Sequence, residues 1–334
     1  MEIGSRILVT GASGFIGSFI VEEALRRGME VWAAVRATSS RRYLSDKRIR
    51  FIELNLDREE ELERQLRGVE FDYVVHAAGV TKSADTRDFH RVNALGTIHL
   101  VNALRIVRMP IKRFVYMSSL SVVGPVREQP PFTDIMATDA PHPNTAYGRS
   151  KLESELYLAS LTDFPYIVLR PTGVYGPRER DYYLMAKSIK NHVDFAAGLK
   201  PQVITFVYVR DVVEAVMLAL DHGRVGGKYF VSDGRVYDSR TFSDLVRREL
   251  GNPWLVRLKT PLWLLRIVTF IGEYVGKARG ELTALNNDKY NILCQRNWRC
   301  DISPAEDELG YRPKWGLSEG VRETIKWYKE NGWL

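Results

Sequence analysis

The sequence predicts an α/β protein, a doubly wound parallel sheet with a smaller C-terminal lobe. Three observations predict it. Arg6 to Thr10 (RILVT) is a short apolar run of the kind that fills a buried parallel strand. It runs into Gly11-Ala-Ser-Gly14-Phe-Ile-Gly17 and then an apolar-periodic stretch to Arg27, with Gly28 where a helix C-terminus favours glycine. Strands and helices then alternate through Asp72–Ala78, Asp88–Arg108, Arg113–Ser118 and Thr145–Leu161.

The first strand, glycine turn and helix form the context that makes a dinucleotide fingerprint credible. Glycines permit a tight turn and close approach of backbone to a pyrophosphate, and a helix N-terminus offers free N–H groups and positive partial charge. Gly11, Ser13, Gly14, Phe15, Ile16 and Gly17 are therefore the expected pyrophosphate residues. Strand two, Glu30 to Val35, ends in Arg36. An acidic residue there would select NAD through the ribose hydroxyls, whereas a guanidinium suits a 2′-phosphate. With Ser39, Arg41 and Arg42 close by, NADP is the expected cofactor and NAD the alternative.

The chain has 334 residues, 45% hydrophobic and 27% charged, enough to bury a large core. Its two cysteines, Cys294 and Cys300, make neither a disulfide framework nor a metal site, and read as reduced thiols of a cytoplasmic protein. Met1 leads almost directly into strand one without a signal peptide, and no apolar run is long enough for a membrane span. The net charge is +7, but no nucleic-acid recognition motif accompanies it. The partners expected are a small-molecule substrate and a second copy of the chain.

Tyr147 and Lys151 stand four apart on a helix and share one face. A nearby cation favours the phenolate, so Lys151 is expected to lower the Tyr147 pKa. Such a tyrosine passes a proton to and from a substrate oxygen. His76 and His142 have no carboxylate at a useful spacing and read as structural and loop residues.

Together these motifs resemble the extended short-chain dehydrogenase/reductase family of NAD(P)-dependent epimerases, dehydratases and reductases. The resemblance covers nearly the whole chain: Thr10 to Gly17, Val74 to Gly79 (VVHAAG), Val92 to Thr97 (VNALGT), Phe114 to Gly124, Leu169 to Pro171, Val174 to Pro177, and Phe206 to Asp211. It implies a Rossmann domain of residues 1–170 with 206–232, and a substrate-binding lobe of 171–205 with 233–334. It implies Ser119 as the hydroxyl that binds the substrate oxygen, in preference to Ser118. Tyr147 would be the acid/base, Lys151 the ribose ligand, and Asn93 a relay or support for the active-site helix. Asn55, Leu56, Ala77, Ala78, Pro171 and Val174 would line the cofactor.

The implied reaction is hydride transfer between a nicotinamide and a carbonyl or secondary alcohol. Leu120 and Ser121 follow Ser119 where a dehydratase carries acids, which disfavours dehydration. Ile204 stands where nucleotide-sugar enzymes keep a diphosphate-binding arginine, with Arg178 and Arg180 as possible substitutes. Pro261 to Val275 is mostly apolar, with Trp263, Phe270 and Tyr274, and resembles the 3β-hydroxysteroid dehydrogenase and dihydroflavonol reductase branch. A hydrophobic substrate is expected from these features, with a nucleotide-sugar 4-epimerase as the alternative and a non-catalytic NADP sensor as the second. Relatives commonly dimerise through the helices of 88–108 and 145–161, where Leu156 and Leu158 are the apolar positions on offer.

Overall fold

The computed structural model describes residues 3–83, 85–267, 269 and 287–334. In chain order the strands are β1 (Arg6–Thr10), β2 (Glu30–Val35), β3 (Arg50–Glu53), β4 (Tyr73–His76), β5 (Arg113–Met117), β6 (Tyr166–Pro171), β7 (Gly173–Tyr175), β8 (Val193–Ala197), β9 (Val203–Ile204), β10 (Phe206–Tyr208), β11 (Lys228–Val231), β12 (Tyr237–Asp238) and β13 (Val256–Thr260). The helices that position the site are α1 (Phe15–Arg26), α2 (Glu59–Leu66), α3 (Gly96–Ile106), α4 (Ala146–Ala159), α5 (Arg180–Lys190), α6 (Val209–Asp221) and α7 (Thr241–Glu249).

Seven strands form one sheet in the order β11-β6-β5-β4-β1-β2-β3, and every pairing is parallel. The period-two alternation of the strands splits the core into two layers. Ile7, Val9, Val75 and Val115 face α1 and α6, while Leu8, Val74, Phe114 and Tyr116 face α2, α3 and α4. An ion pair of 2.6 Å between Arg27 and Glu214 joins α1 to α6. The chain direction of sheet growth reverses between β1 and β4, and crevices at such reversals are where open α/β sheets bind ligands.

One expected boundary moves. β11 joins the sheet beside β6, with Lys228 opposite Val168, but β10 does not. The edge of β6 is taken by β11, so Phe206–Tyr208 pairs instead with β7, Phe206 opposite Gly173. Residues 206–208 therefore belong with the segment after Pro171, not with the main sheet. The residues after Pro171 pack through tilted aromatic rings, including Tyr182 on Phe242 at 4.6 Å and Phe206 on Phe242 at 5.0 Å. Asp211 fastens the C-terminal segment, its carboxylate accepting the N–H groups of Lys314 and Trp315 at 3.0 Å. No described helix is long and apolar enough to cross a membrane.

Candidate active site

The glycine turn is built as its sequence demands. Gly11 has φ of 68°, and a Cβ there would come within 2.6 Å of the Ala77 and Ala78 backbone. A side chain on Gly17 would collide with the Gly11 carbonyl, so α1 packs directly against the turn. Gly14 caps α1 with no side-chain hydrogen bond, and the first turn of α1 carries no acid. The helix thus starts with N–H groups that no side chain satisfies, which fits a dinucleotide pyrophosphate. Ser13, Phe15 and Ile16 line this start and stay partly accessible.

A buried chain of hydrogen bonds ties this turn to the helical segment of 89–95. Thr97 Oγ1 donates to the Asn93 carbonyl at 2.5 Å, so it accepts from His76 Nε2 at 3.0 Å. His76 Nδ1 then accepts from Thr10 Oγ1 at 2.7 Å, and that oxygen in turn accepts the Ala78 N–H at 3.3 Å. Burial lowers the His76 pKa to about 3, so the ring is neutral and structural, as its sequence context predicts. Ala77 and Ala78 are held beside the glycine turn by this network.

Ser118 and Ser119 directly follow β5 and have different surroundings. Ser118 Oγ donates to buried Glu155 at 2.5 Å, which makes it a structural group. Ser119 stays partly accessible, its hydroxyl donates to Ser121 Oγ at 3.2 Å, and it stands near enough to Tyr147 to favour the phenolate. Tyr147 lies in the first turn of α4, where Thr145 Oγ1 caps the helix by accepting the Gly148 N–H at 2.9 Å. Lys151, one turn on, is buried and donates to the Met117 carbonyl at 2.8 Å.

The electrostatics differ from the expectation at one point. The four-residue spacing predicts that Lys151 lowers the Tyr147 pKa. Burial instead pushes the Tyr147 phenol up to about 12, and the Ser119 hydroxyl offsets this only in part. The physical reason is desolvation. Burial also lowers Lys151 to about 8, against the pull of Glu155, and its ammonium is committed to Met117 and the Tyr116 ring, 4.8 Å away.

Asn93 is fully buried and supports the helix. Its Nδ2 donates to Ser150 Oγ at 3.0 Å, and Ser150 Oγ donates to the Tyr147 carbonyl at 2.8 Å. Its Oδ1 accepts the Val80 N–H at 2.8 Å. These bonds leave Asn93 acting on the backbone around Tyr147, with Gly79 packed so close that a Cβ would lie 2.9 Å from Asn93 Oδ1 and 3.3 Å from Lys151 Nζ.

Arg36 follows β2 directly and is exposed, and its N–H donates to Ser39 Oγ at 2.9 Å. Arg41 is stacked on Phe51 at 4.3 Å. Asn55 turns toward α2, its Nδ2 donating to Glu61 at 2.9 Å, while Leu56 packs near Gly96. Pro171 ends β6 in the core, and Val174 follows in β7, partly accessible.

Two sequence readings of the substrate side change. The sequence offers Arg178 as a substitute phosphate ligand. It donates instead to Ser18 at 2.9 Å and to Glu22 at 2.6 Å, and lies over Phe19 at 4.3 Å and Tyr43 at 4.4 Å. It ties the segment after β7 to α1. Trp263, expected to wall an apolar pocket, is 66% exposed, and Phe270 and Tyr274 lie outside the described residues.

Sequence reading missed Asp288. Its two carboxylate oxygens accept the N–H groups of Ala146 and Tyr147 at 2.9 and 3.0 Å. No local pattern marks it, because the contact spans more than 140 positions.

The chain is similar to known proteins over nearly its whole length. UDP-glucose 4-epimerase of Vibrio cholerae is 25% identical over 96% of this chain and 94% of its own length. Sterol demethylase protein B of Methylococcus capsulatus is 26% identical over 98% of this chain and 99% of its own. The solved structure of the Thermus thermophilus UDP-glucose 4-epimerase in complex with NAD superposes with a TM-score of 0.77 at 26% identity, covering 97% of this chain and 99% of that one. The profile of the NAD dependent epimerase/dehydratase family matches residues 7–232. On its glycine turn, its sheet and this match, the chain belongs to the NAD dependent epimerase/dehydratase family.

Proposed function

We propose that this protein is an NAD(P)-dependent nucleotide-sugar 4-epimerase that works by reversible oxidation of a ring hydroxyl. The observation that carries the reading is the juxtaposition of Ser119 and Tyr147 at the strand ends, one helical turn from buried Lys151. The bound dinucleotide supplies a reversible hydride acceptor. Ser119 holds the substrate oxygen, Tyr147 removes the hydroxyl proton as the carbon loses hydride, and a ketone results. Return of hydride and proton to the opposite face of the turned ketone gives the epimer, so no net redox change remains. Lys151, with N–H donors to spare beside its bond to Met117, would hold the ribose of the dinucleotide, and Asn93 fixes the helix through Ser150.

The choice of a sugar nucleotide departs from the hydrophobic substrate that the sequence favours, and full-length similarity to UDP-glucose 4-epimerases supports the change. A second reading keeps a hydrophobic alcohol, oxidised with net reduction of the cofactor. Ile204 and the engagement of Arg178 favour it, since a diphosphate desolvated without matched cations is costly. The deciding experiment incubates the protein and NAD with UDP-galactose, UDP-glucose or a hydroxysteroid, and the protein and NADH with an aryl ketone. Epimer formation without net cofactor reduction supports the 4-epimerase. Stoichiometric NAD reduction confined to the hydroxysteroid, or NADH oxidation by the aryl ketone, with no epimer formed, supports the second reading and overturns the first.

Arg36 carries the cofactor preference within this proposal. Its exposed guanidinium ends the strand that faces the adenosine ribose, so NADP is expected to bind at least as well as NAD. Arg36→Glu should weaken NADP about tenfold to a hundredfold and leave NAD little changed, because a charge-assisted hydrogen bond is worth about 1.5–3 kcal/mol. Titration of both nucleotides against both proteins checks this, and equal NADP affinity in the two would refute it.

Dimerisation through α3 and α4 is also proposed. Leu158 is fully buried in the core, so Leu156, 60% exposed, and Ile106, 52% exposed, are the apolar side chains left to form such a contact. Light scattering should give a dimer mass that Leu156→Glu reduces to a monomer; a monomeric wild type would dispose of the proposal.

A further inference from the structure

α4 starts with a divided set of backbone donors. Thr145 satisfies the Gly148 N–H from within the segment. The Ala146 and Tyr147 N–H groups are satisfied from far away, by both oxygens of Asp288 in the helix Asn287–Cys294. The same helix makes two neighbouring ties. Asn291 Nδ2 donates to the Asn144 carbonyl at 2.8 Å, just before α4 begins. Lys289 pairs at 3.5 Å with Asp181, in the first turn of α5, and Asp181 also pairs with Lys82 of the loop after β4. One helix therefore meets the start of α4 and the start of α5, and through Asp181 is linked to the loop that follows β4.

We propose that Asp288 is a positioning residue for Tyr147, acting through the backbone, and that it makes docking of the Asn287–Cys294 helix a condition of a competent site. A carboxylate at a helix N-terminus is favoured by the helix dipole and by the free N–H groups. Here one of those groups is Tyr147's own. Its carbonyl is already held by Ser150, itself held by Asn93. Asp288 supplies the opposite restraint, so the tyrosine backbone is fixed on both sides of its Cα. α4 does not need Asp288 to form. It has the Thr145 cap and a buried face of Lys151, Ser154, Glu155 and Leu158. What the carboxylate adds is aim at the acid/base residue, and misplacement of a reacting group by about 1 Å can cost a hundredfold in rate.

This inference rests on the assignment of Tyr147 as acid/base, and the test separates the two. Full-length wild type, Asp288→Asn, Asp288→Ala and Tyr147→Phe are compared with NAD bound. Amide hydrogen exchange is followed in the peptide 144–152. Turnover is followed with UDP-galactose, or with whichever compound of the four named above is turned over. Asp288→Ala should speed exchange at Ala146 and Tyr147 and lower kcat roughly tenfold to a hundredfold. KM, NAD affinity and Tm should hold, and a solvent deuterium isotope effect on kcat should emerge as proton transfer becomes limiting. Asp288→Asn should fall between, since its side-chain oxygen still accepts one bond. Unchanged exchange or unchanged kcat in Asp288→Ala, with Tyr147→Phe inactive, overturns the inference and leaves the acid/base assignment standing. Parallel loss of Tm, NAD affinity and activity also overturns it, in favour of a purely structural tie. An active Tyr147→Phe removes the assignment itself.

Discussion

Tyr147→Phe is expected to lower kcat by roughly 100- to 10,000-fold, the usual contribution of a positioned acid/base group, with the fold and NAD binding intact. Tyr147 is partly accessible and its ring packs edge-on against Phe89 at 6.3 Å, so Phe fills the same space and removes only the hydroxyl. The pH dependence follows from the direction of the shift. Burial holds the phenol protonated up to about 12, so the protein without substrate stores the acid form. Carbonyl reduction, which needs that acid, should proceed at neutral pH, and alcohol oxidation, which needs the base, should gain as pH rises. Single-turnover rates of the two half-reactions across pH, NAD reduction by the sugar nucleotide and NADH oxidation by its ketone, check this. A Phe variant with near wild-type turnover would end the assignment.

The largest stability effect is expected at Arg170. Its side chain is 1% exposed and Glu155 is 0% exposed, and they meet in a paired contact of 3.0 Å through Nε and 2.5 Å through the terminal nitrogen. Ser118 adds a bond to Glu155, and Lys228 stands 3.8 Å away. Arg170→Met leaves the buried carboxylate with only those two weaker partners. Removing one member of a buried pair typically costs about 3–5 kcal/mol, more than the pair itself contributes, because the other charge stays desolvated. Denaturant unfolding with an unchanged m-value is the measurement. Replacing both residues, Arg170→Met with Glu155→Leu, should recover much of the loss. A single-mutant loss below about 1 kcal/mol, the size of an exposed pair, would show that the interior there is wetter than the burial implies.

What could be read from the sequence was local. β1, the glycine turn and α1 lie within a few turns of chain, so spacing and periodicity marked them. Tyr147 and Lys151 share a helix, so their relation followed from four positions of sequence. Ser118 and Ser119 differ in surroundings, the first bonded to buried Glu155 and the second partly accessible, a difference that adjacent identical residues do not announce. The rest depends on contacts between distant segments. The fate of β10 turned on β11 taking the edge of β6, which no pattern in Phe206–Tyr208 encodes. Arg178 resembles a phosphate ligand until its bonds to Ser18 and Glu22 are seen, some 160 positions away. The sign of the Tyr147 shift depends on burial, which spacing to Lys151 does not report. Asp288 is invisible for the same reason as Arg178.

The central claim is hydride transfer at the Ser119 and Tyr147 centre, and rapid mixing of the NAD-loaded protein with UDP-galactose tests it most directly. The signal is the absorbance of the reduced nicotinamide. The account predicts a transient rise in wild type that decays as the epimer forms, and no rise in Tyr147→Phe. Epimer formation with no reduced nicotinamide at any time, or an equal rise in the Phe variant, would contradict it.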